Sequence, residues 1–219
     1  MFKSVLKVGA LMSVALLSTQ ASAEVIGFGA NSGSGINDCS GNPEYSCEIL
    51  APTDIPNPVS ADPNSDKLSV WKESGPITLA SNLRVNATPS GANRIAAGRV
   101  ISSYMIQFDS PPPGAGQLEA SIEFGDEVIG LITSTRRLRL TDDLLGAPGI
   151  TYDTFRSRGL ENNDVVDFGA NEFSVDVFFR TTSPGDWVRV ITAVPEPTSL
   201  VLLGTGLLGF GLSRRRKAA

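Results

Sequence analysis

The chain has 219 residues, 41% hydrophobic and 19% charged, with two cysteines and no histidine. Without histidine it cannot build Ser-His-Asp or Cys-His nucleophile systems or most zinc and copper sites, so any hydrolytic chemistry would rest on carboxylates. Of its 23 acidic residues only Glu196 lies outside the stretch from Glu24 to Ala193, which holds twelve of the 18 basic residues; the resulting net charge of −10 disfavours nucleic acid and anionic lipid as partners.

Residues 1–23 read as a secretory signal peptide. Lys3 and Lys7 precede an apolar run from Val8 to Leu17, and Ala21-Ser22-Ala23 supplies an Ala-x-Ala cleavage site before Glu24. The apolar run is too short to span a membrane. The mature chain is therefore expected outside the cytoplasm. From Glu24 to Ala193 there are 170 residues, enough for one domain with a substantial core.

Residues 24–66 form the loop-rich N-terminal part of that domain. Val25–Phe28 reads as a strand, but Pro52, Pro56, Pro58 and Pro63 interrupt any regular ladder. Cys39 and Cys47 flank a Gly- and Pro-containing segment, and in an exported chain they are most simply a disulfide. A redox or metal pair is the alternative, against which stand a spacing that is not Cys-x-x-Cys and the lack of a third ligand nearby.

Residues 67–193 carry the strand code. Ser103–Asp109, Leu118–Phe124, Leu138–Leu140 and Phe173–Phe179 alternate apolar with polar residues. Val128–Ile132 is more uniformly apolar, Trp187–Ile191 is mixed, and shorter runs fall at Ser69–Trp71, Ile77–Leu79, Asn82–Asn86 and Val165–Phe168. Turn signals separate these runs at the spacing of a sandwich. Thr141–Gly146 predicts a single helical turn between strands, its aspartates at an acidic first turn. The expected fold is all-β: an antiparallel, jelly-roll-like sandwich of about ten strands.

Candidate chemistry in this domain is sparse. Asp62, Asn64, Asp66 and Glu73 have EF-hand spacing, yet Lys67 stands where the loop needs Gly, and an Asx turn accounts for them. Glu161-Asn162-Asn163-Asp164 gathers oxygen ligands and reads first as a polar turn, second as a calcium loop. Asp142/Asp143 and Glu119/Glu123 are the carboxylate pairs that glycoside hydrolysis would require, though neither sits in a recognisable motif. Neither catalytic residues nor a bound metal or cofactor is assigned. Trp71, Trp187, Tyr104, Tyr152 and Phe155 could form a sugar-stacking platform or simply core. Arg136-Arg137-Leu138-Arg139 is a basic cluster suited to an anionic polysaccharide, or a half-exposed strand.

The C-terminus has three parts in order. Val194-Pro195-Glu196-Pro197 ends any preceding strand. Residues 198–212 follow without a charge, a 15-residue span of roughly 22 Å as a helix at ~1.5 Å per residue, short against a hydrocarbon core of ~30 Å. Residues 213–219 close the chain with Arg214, Arg215, Arg216 and Lys217 as a cytoplasmic stop. Motif, transmembrane helix and basic tail together resemble the PEP-CTERM sorting signal of Gram-negative bacteria. The resemblance implies handling by an exosortase that cuts near the motif, membrane attachment through the span beforehand, and a destination at the cell surface or beyond, among exopolysaccharide. Stretches from Ser102 to Thr192 also look like a recurrent domain of such proteins, which lends architecture only. A non-enzymatic surface or matrix protein is thus the leading reading, and an exported carboxylate-based hydrolase or carbohydrate-binding module the alternative.

Overall fold

The computed structural model describes residues 24–29, 39, 46–60, 67–109, 116–154, 156–161, 163–181 and 185–195, which lie within a compact unit spanning 22–195. Among them the elements run in chain order β1 (Val25–Gly29), β2 (Ser46–Leu50), β3 (Lys67–Thr78), β4 (Leu83–Arg84), β5 (Arg94–Ile95), β6 (Val100–Asp109), β7 (Gly116–Phe124), β8 (Val128–Ile132), α1 (Thr135–Leu145), β9 (Val165–Phe168), β10 (Ser174–Thr181) and β11 (Asp186–Ala193). The expected signal peptide, 1–23, and the expected span, 198–212, lie outside the described residues. Among the described residues no helix is long and apolar enough to cross a membrane.

Strict alternation builds the first sheet, an antiparallel array ordered β1-β7-β10-β9. Leu118, Ala120, Ile122 and Phe124 of β7 are buried, as are Val175, Val177 and Phe179 of β10, while their neighbours in sequence are more exposed. Successive side chains point to opposite faces, so each strand has one dry face and one wet one. The dry face packs against Leu68, Val70, Tyr104, Ile106, Phe108, Val128, Leu131, Val188 and Val190 of a second sheet, and together they form the inter-sheet core. Phe108 stacks on Phe179 across it, ring centroids 6.1 Å apart.

The second sheet is ordered β2-β3-β6-β11-β8, and its strands β8 and β11 are buried on both faces. Its far side carries Trp71, Ile101, Met105, Trp187 and Ile191, which pack with Leu138 and Leu145 of α1 and with Ile55, Val59, Leu83, Val85 and Tyr152 from loops and short strands. That covering explains why Val128–Ile132 and Trp187–Ile191 do not alternate. β2 runs parallel to β3, so this sheet is mixed where an antiparallel one was expected. What the molecule shares with the expected jelly roll is two face-packed sheets of mainly antiparallel strands.

The expected strand Leu138–Leu140 is instead part of α1, and so is the expected single turn at Thr141–Gly146. The Leu-Arg-Leu alternation spans only three residues, whereas Leu138, Thr141 and Leu145 make a buried helical stripe in a segment of good helix formers. Asp142 and Asp143 therefore sit near the C-terminal end of the helix, where the dipole disfavours acids, rather than in an acidic first turn. Gly146 ends the helix. A Cβ there would press on the carbonyl of Asp142 and the ring of Tyr152.

A candidate functional site on the helix-covered face

Two charged residues point from the second sheet into its apolar cover. Arg189 of β11 and Glu73 of β3, 116 positions apart, are both buried, and they meet in a bidentate pair: Nε to Oε2 at 2.5 Å and Nη2 to Oε1 at 2.7 Å. Ser103 donates to the same Glu73 carboxylate at 2.8 Å. Arg189 also donates to the helix, from Nη1 to the Leu138 carbonyl and Thr141 Oγ1, and from Nη2 to Asp142 Oδ1 at 3.0 Å. A buried ion pair holds only when its remaining donors are satisfied in this way. Burial works against the charge of Arg189, but the field and hydrogen bonds of Glu73 outweigh it and hold the guanidinium above its ordinary value. Burial and then the charge of Glu73 likewise raise Tyr152, whose neutral hydroxyl accepts the Ala147 N–H at 2.9 Å.

Asp142 extends the network outward. Its two oxygens take both terminal nitrogens of Arg158, at 2.6 and 3.0 Å, and Arg158 donates in turn to the Asp153 carbonyl. The Arg158 guanidinium lies 4.6 Å from the ring centroid of Trp187. Gly159 then brings the same segment onto the start of α1: its N–H reaches Thr135 Oγ1, Leu160 N–H reaches the Thr133 carbonyl, and a Cβ at Gly159 would overlap the Thr135 amide. The loop is fastened to the helix at both its arginine and its glycine.

The result is a groove of ≈ 640 Å³ lined by Thr135, Arg136, Arg139, Leu140 and Arg156. Arg136 and Arg139 are three apart and so share one side of the helix. Among the described residues none of the three arginines pairs with a carboxylate. Leu140, 72% exposed, adds an apolar side chain to the lining. The basic cluster thus lies on a helix, not on the half-exposed strand that alternation suggested.

A second cleft, ≈ 650 Å³, is lined by Lys72, Glu73, Ser74, Asp143 and Pro148 among others. It brings two acidic side chains to one place, but both oxygens of Glu73 are held by Arg189. That also removes Glu73 as the last ligand of an EF-hand loop; Asp62, Asn64 and Asp66 lie outside the described residues. Glu119 and Glu123 stand on the less buried face of β7. Asp164 accepts the backbone N–H groups of Glu161 and Arg180, as a turn residue does, and Asn162 lies outside the described residues. Asp186 is buried against Asp164 and Glu161, and burial, then the charge of Asp164, raises its carboxyl to about 8. Among the described residues no group of three or more acids or cysteines is placed to hold a metal ion.

Trp71, Trp187, Tyr104 and Tyr152 are all buried, so these four make no sugar platform, and Phe155 lies outside the described residues. Cys39 and Cys47 are disulfide-bonded, and they pack against the inter-sheet core. Cys47 belongs to β2, so the bridge ties an edge strand. Sequence reasoning did not single out the Glu73–Arg189 pair or Arg156. A charge inside the otherwise apolar run Trp187–Ile191 was the available signal.

Val194 and Pro195 are the described residues of the terminal motif. β11 ends at Ala193, and the Val194 N–H still bonds the Val100 carbonyl at 2.9 Å. Glu196, Pro197 and the basic residues 214–217 lie outside the described residues, as do Ala21 and Ala23. No curated protein and no solved structure matches the chain. One family model does, that of the PEP-CTERM protein-sorting motif, over residues 193–217. Its match starts on the last residue of β11 and runs through the basic tail. The chain carries a PEP-CTERM protein-sorting motif directly behind its folded β domain, as an exported substrate of an exosortase does.

Proposed function

We propose that this is a non-enzymatic protein of the cell surface or extracellular matrix, delivered by exosortase-type sorting and associated with exopolysaccharide once outside. The sorting motif at residues 193–217 carries the reading. The signal peptide starts export. The span 198–212 then holds the chain in the membrane, while Arg214 to Lys217 resist being drawn through, since each cation at the bilayer centre costs about 2.5–3.5 kcal/mol. Glu196 follows the end of β11 by only three residues, so the exosortase meets its motif next to a finished, jelly-roll-like domain that is released or re-attached whole.

Intact mass of the protein recovered outside the cell tests this. It is expected to lack residues 1–23 and the span after Pro197. A full-length mass would contradict it.

A carboxylate-based glycoside hydrolase is the second reading, favoured by the cleft that holds Glu73 and Asp143. It asks Glu73 to leave Arg189 during turnover. Hydrolysis of a polysaccharide that vanishes in Asp143→Asn would establish it, and no hydrolysis by the wild type would remove it.

A further inference from the structure

We propose that the groove of Arg136, Arg139, Leu140 and Arg156 is a binding site for a carboxylate-bearing polysaccharide. The inference rests on the surface-polysaccharide reading and adds to it the sign of the polymer and the place where it binds.

Folding does not account for these arginines. Arg136 and Arg139 lie in the first two turns of α1, whose first turn carries no acid. A helix start disfavours cations, and like charges three apart repel. None of the three gains a carboxylate partner among the described residues in return, although the domain holds 22 acidic residues. The protein nevertheless fastens Arg156 beside the other two, through the Arg158–Asp142 bonds and the close approach of Gly159 to Thr135. An arrangement that costs stability and is held in place by buried polar bonds is what a binding site requires.

The groove's chemistry selects the ligand. A guanidinium presents a planar fork matched to a carboxylate, and three of them along an open groove suit an anion repeated along a chain better than one small ion. Its volume of ≈ 640 Å³ falls within the ~300–1,000 Å³ of ligand sites. Exposed Leu140 offers an apolar surface to the C–H face of a sugar ring. Around it the domain is strongly acidic, so binding is confined to the groove and weakens with salt.

The full-length protein in detergent, wild type and Arg136→Gln/Arg139→Gln/Arg156→Gln, is titrated with polygalacturonate, neutral dextran and phosphatidylglycerol vesicles. Arg137→Gln, on the same helix but outside the groove lining, serves as control. The wild type and the control are expected to bind polygalacturonate, the triple variant about tenfold more weakly or worse, with its circular dichroism unchanged. Equal binding by the triple variant, or binding only to the vesicles, overturns the site. Binding of dextran alone, indifferent to the substitutions, overturns the site while leaving the polysaccharide reading standing. No binding to either polymer removes both.

Discussion

The two faces of the five-stranded sheet are held by different physics. Between the sheets the core is apolar, and its partners are set by period-2 alternation on β7 and β10. Beneath α1 an apolar layer surrounds a buried ion network, in which Arg189 joins β11 to β3 and to the helix. The first arrangement tolerates any well-packed apolar filling. The second fixes where the helix, Asp153 and Arg158 sit, because the directional bonds of two arginines must all be met at once. The basic groove lies on the second face.

Paired substitutions would break the comparison most sharply. Glu73→Gln leaves Arg189 buried against a neutral partner and is expected to cost about 3–5 kcal/mol in denaturant unfolding. Replacing both members, Glu73→Leu with Arg189→Met, should recover part of that loss, since apolar replacement of a whole ion pair is commonly tolerated. In the inter-sheet core the outcome is opposite. Phe179→Ala should also cost about 3–5 kcal/mol, and adding Phe108→Ala, its stacking partner, should make matters worse.

A smaller effect is expected from pH at the edge of β11. In the unfolded chain Asp186 releases its proton near 3.8; in the folded chain it keeps it to about 8. Between those values the folded state binds the extra proton, so this contribution is complete below pH 4 and is lost as pH rises to 8. Unfolding free energy should therefore fall across that interval, by an amount on the order of a few kcal/mol. Asp186→Asn should remove that part of the slope and stabilise the protein at pH 8. An unchanged slope would show that Asp186 titrates normally.

The smallest effect tests the tie on β2. Closing the ring between Cys39 and Cys47 constrains only a short loop, worth about 2–3 kcal/mol in the chain-entropy model. Cys39→Ser should lower the melting temperature while leaving near-ultraviolet dichroism native, because both sheets keep their cores. Loss of tertiary dichroism would mean that β2 is needed to assemble the second sheet.

The parts of the fold that could be read from sequence follow the same division. β7 and β10 were readable because each has a wet face, which leaves a polar residue at every second position. β8 and β11, covered on both sides, lack that record. α1 was misread over Leu138–Leu140 because three residues fit a strand as well as a helix, and its buried stripe emerges only over Leu138, Thr141 and Leu145. The Glu73–Arg189 pair joins residues 116 positions apart, a distance over which no local pattern reports. The groove was half readable: Arg136 and Arg139 stood out as a basic cluster, whereas Arg156 joins them only through the bonds of Arg158 and Gly159. The sorting motif needed no fold to be recognised, since its three parts are consecutive.

The most direct measurement follows Glu196→Ala beside wild type through fractionation of the cell and its medium. Wild type should be released from the membrane or re-attached at reduced mass, and the variant should remain inserted at the mass of the uncut span. Release of Glu196→Ala at normal size and yield would contradict sorting by this motif and leave a plain membrane anchor in its place.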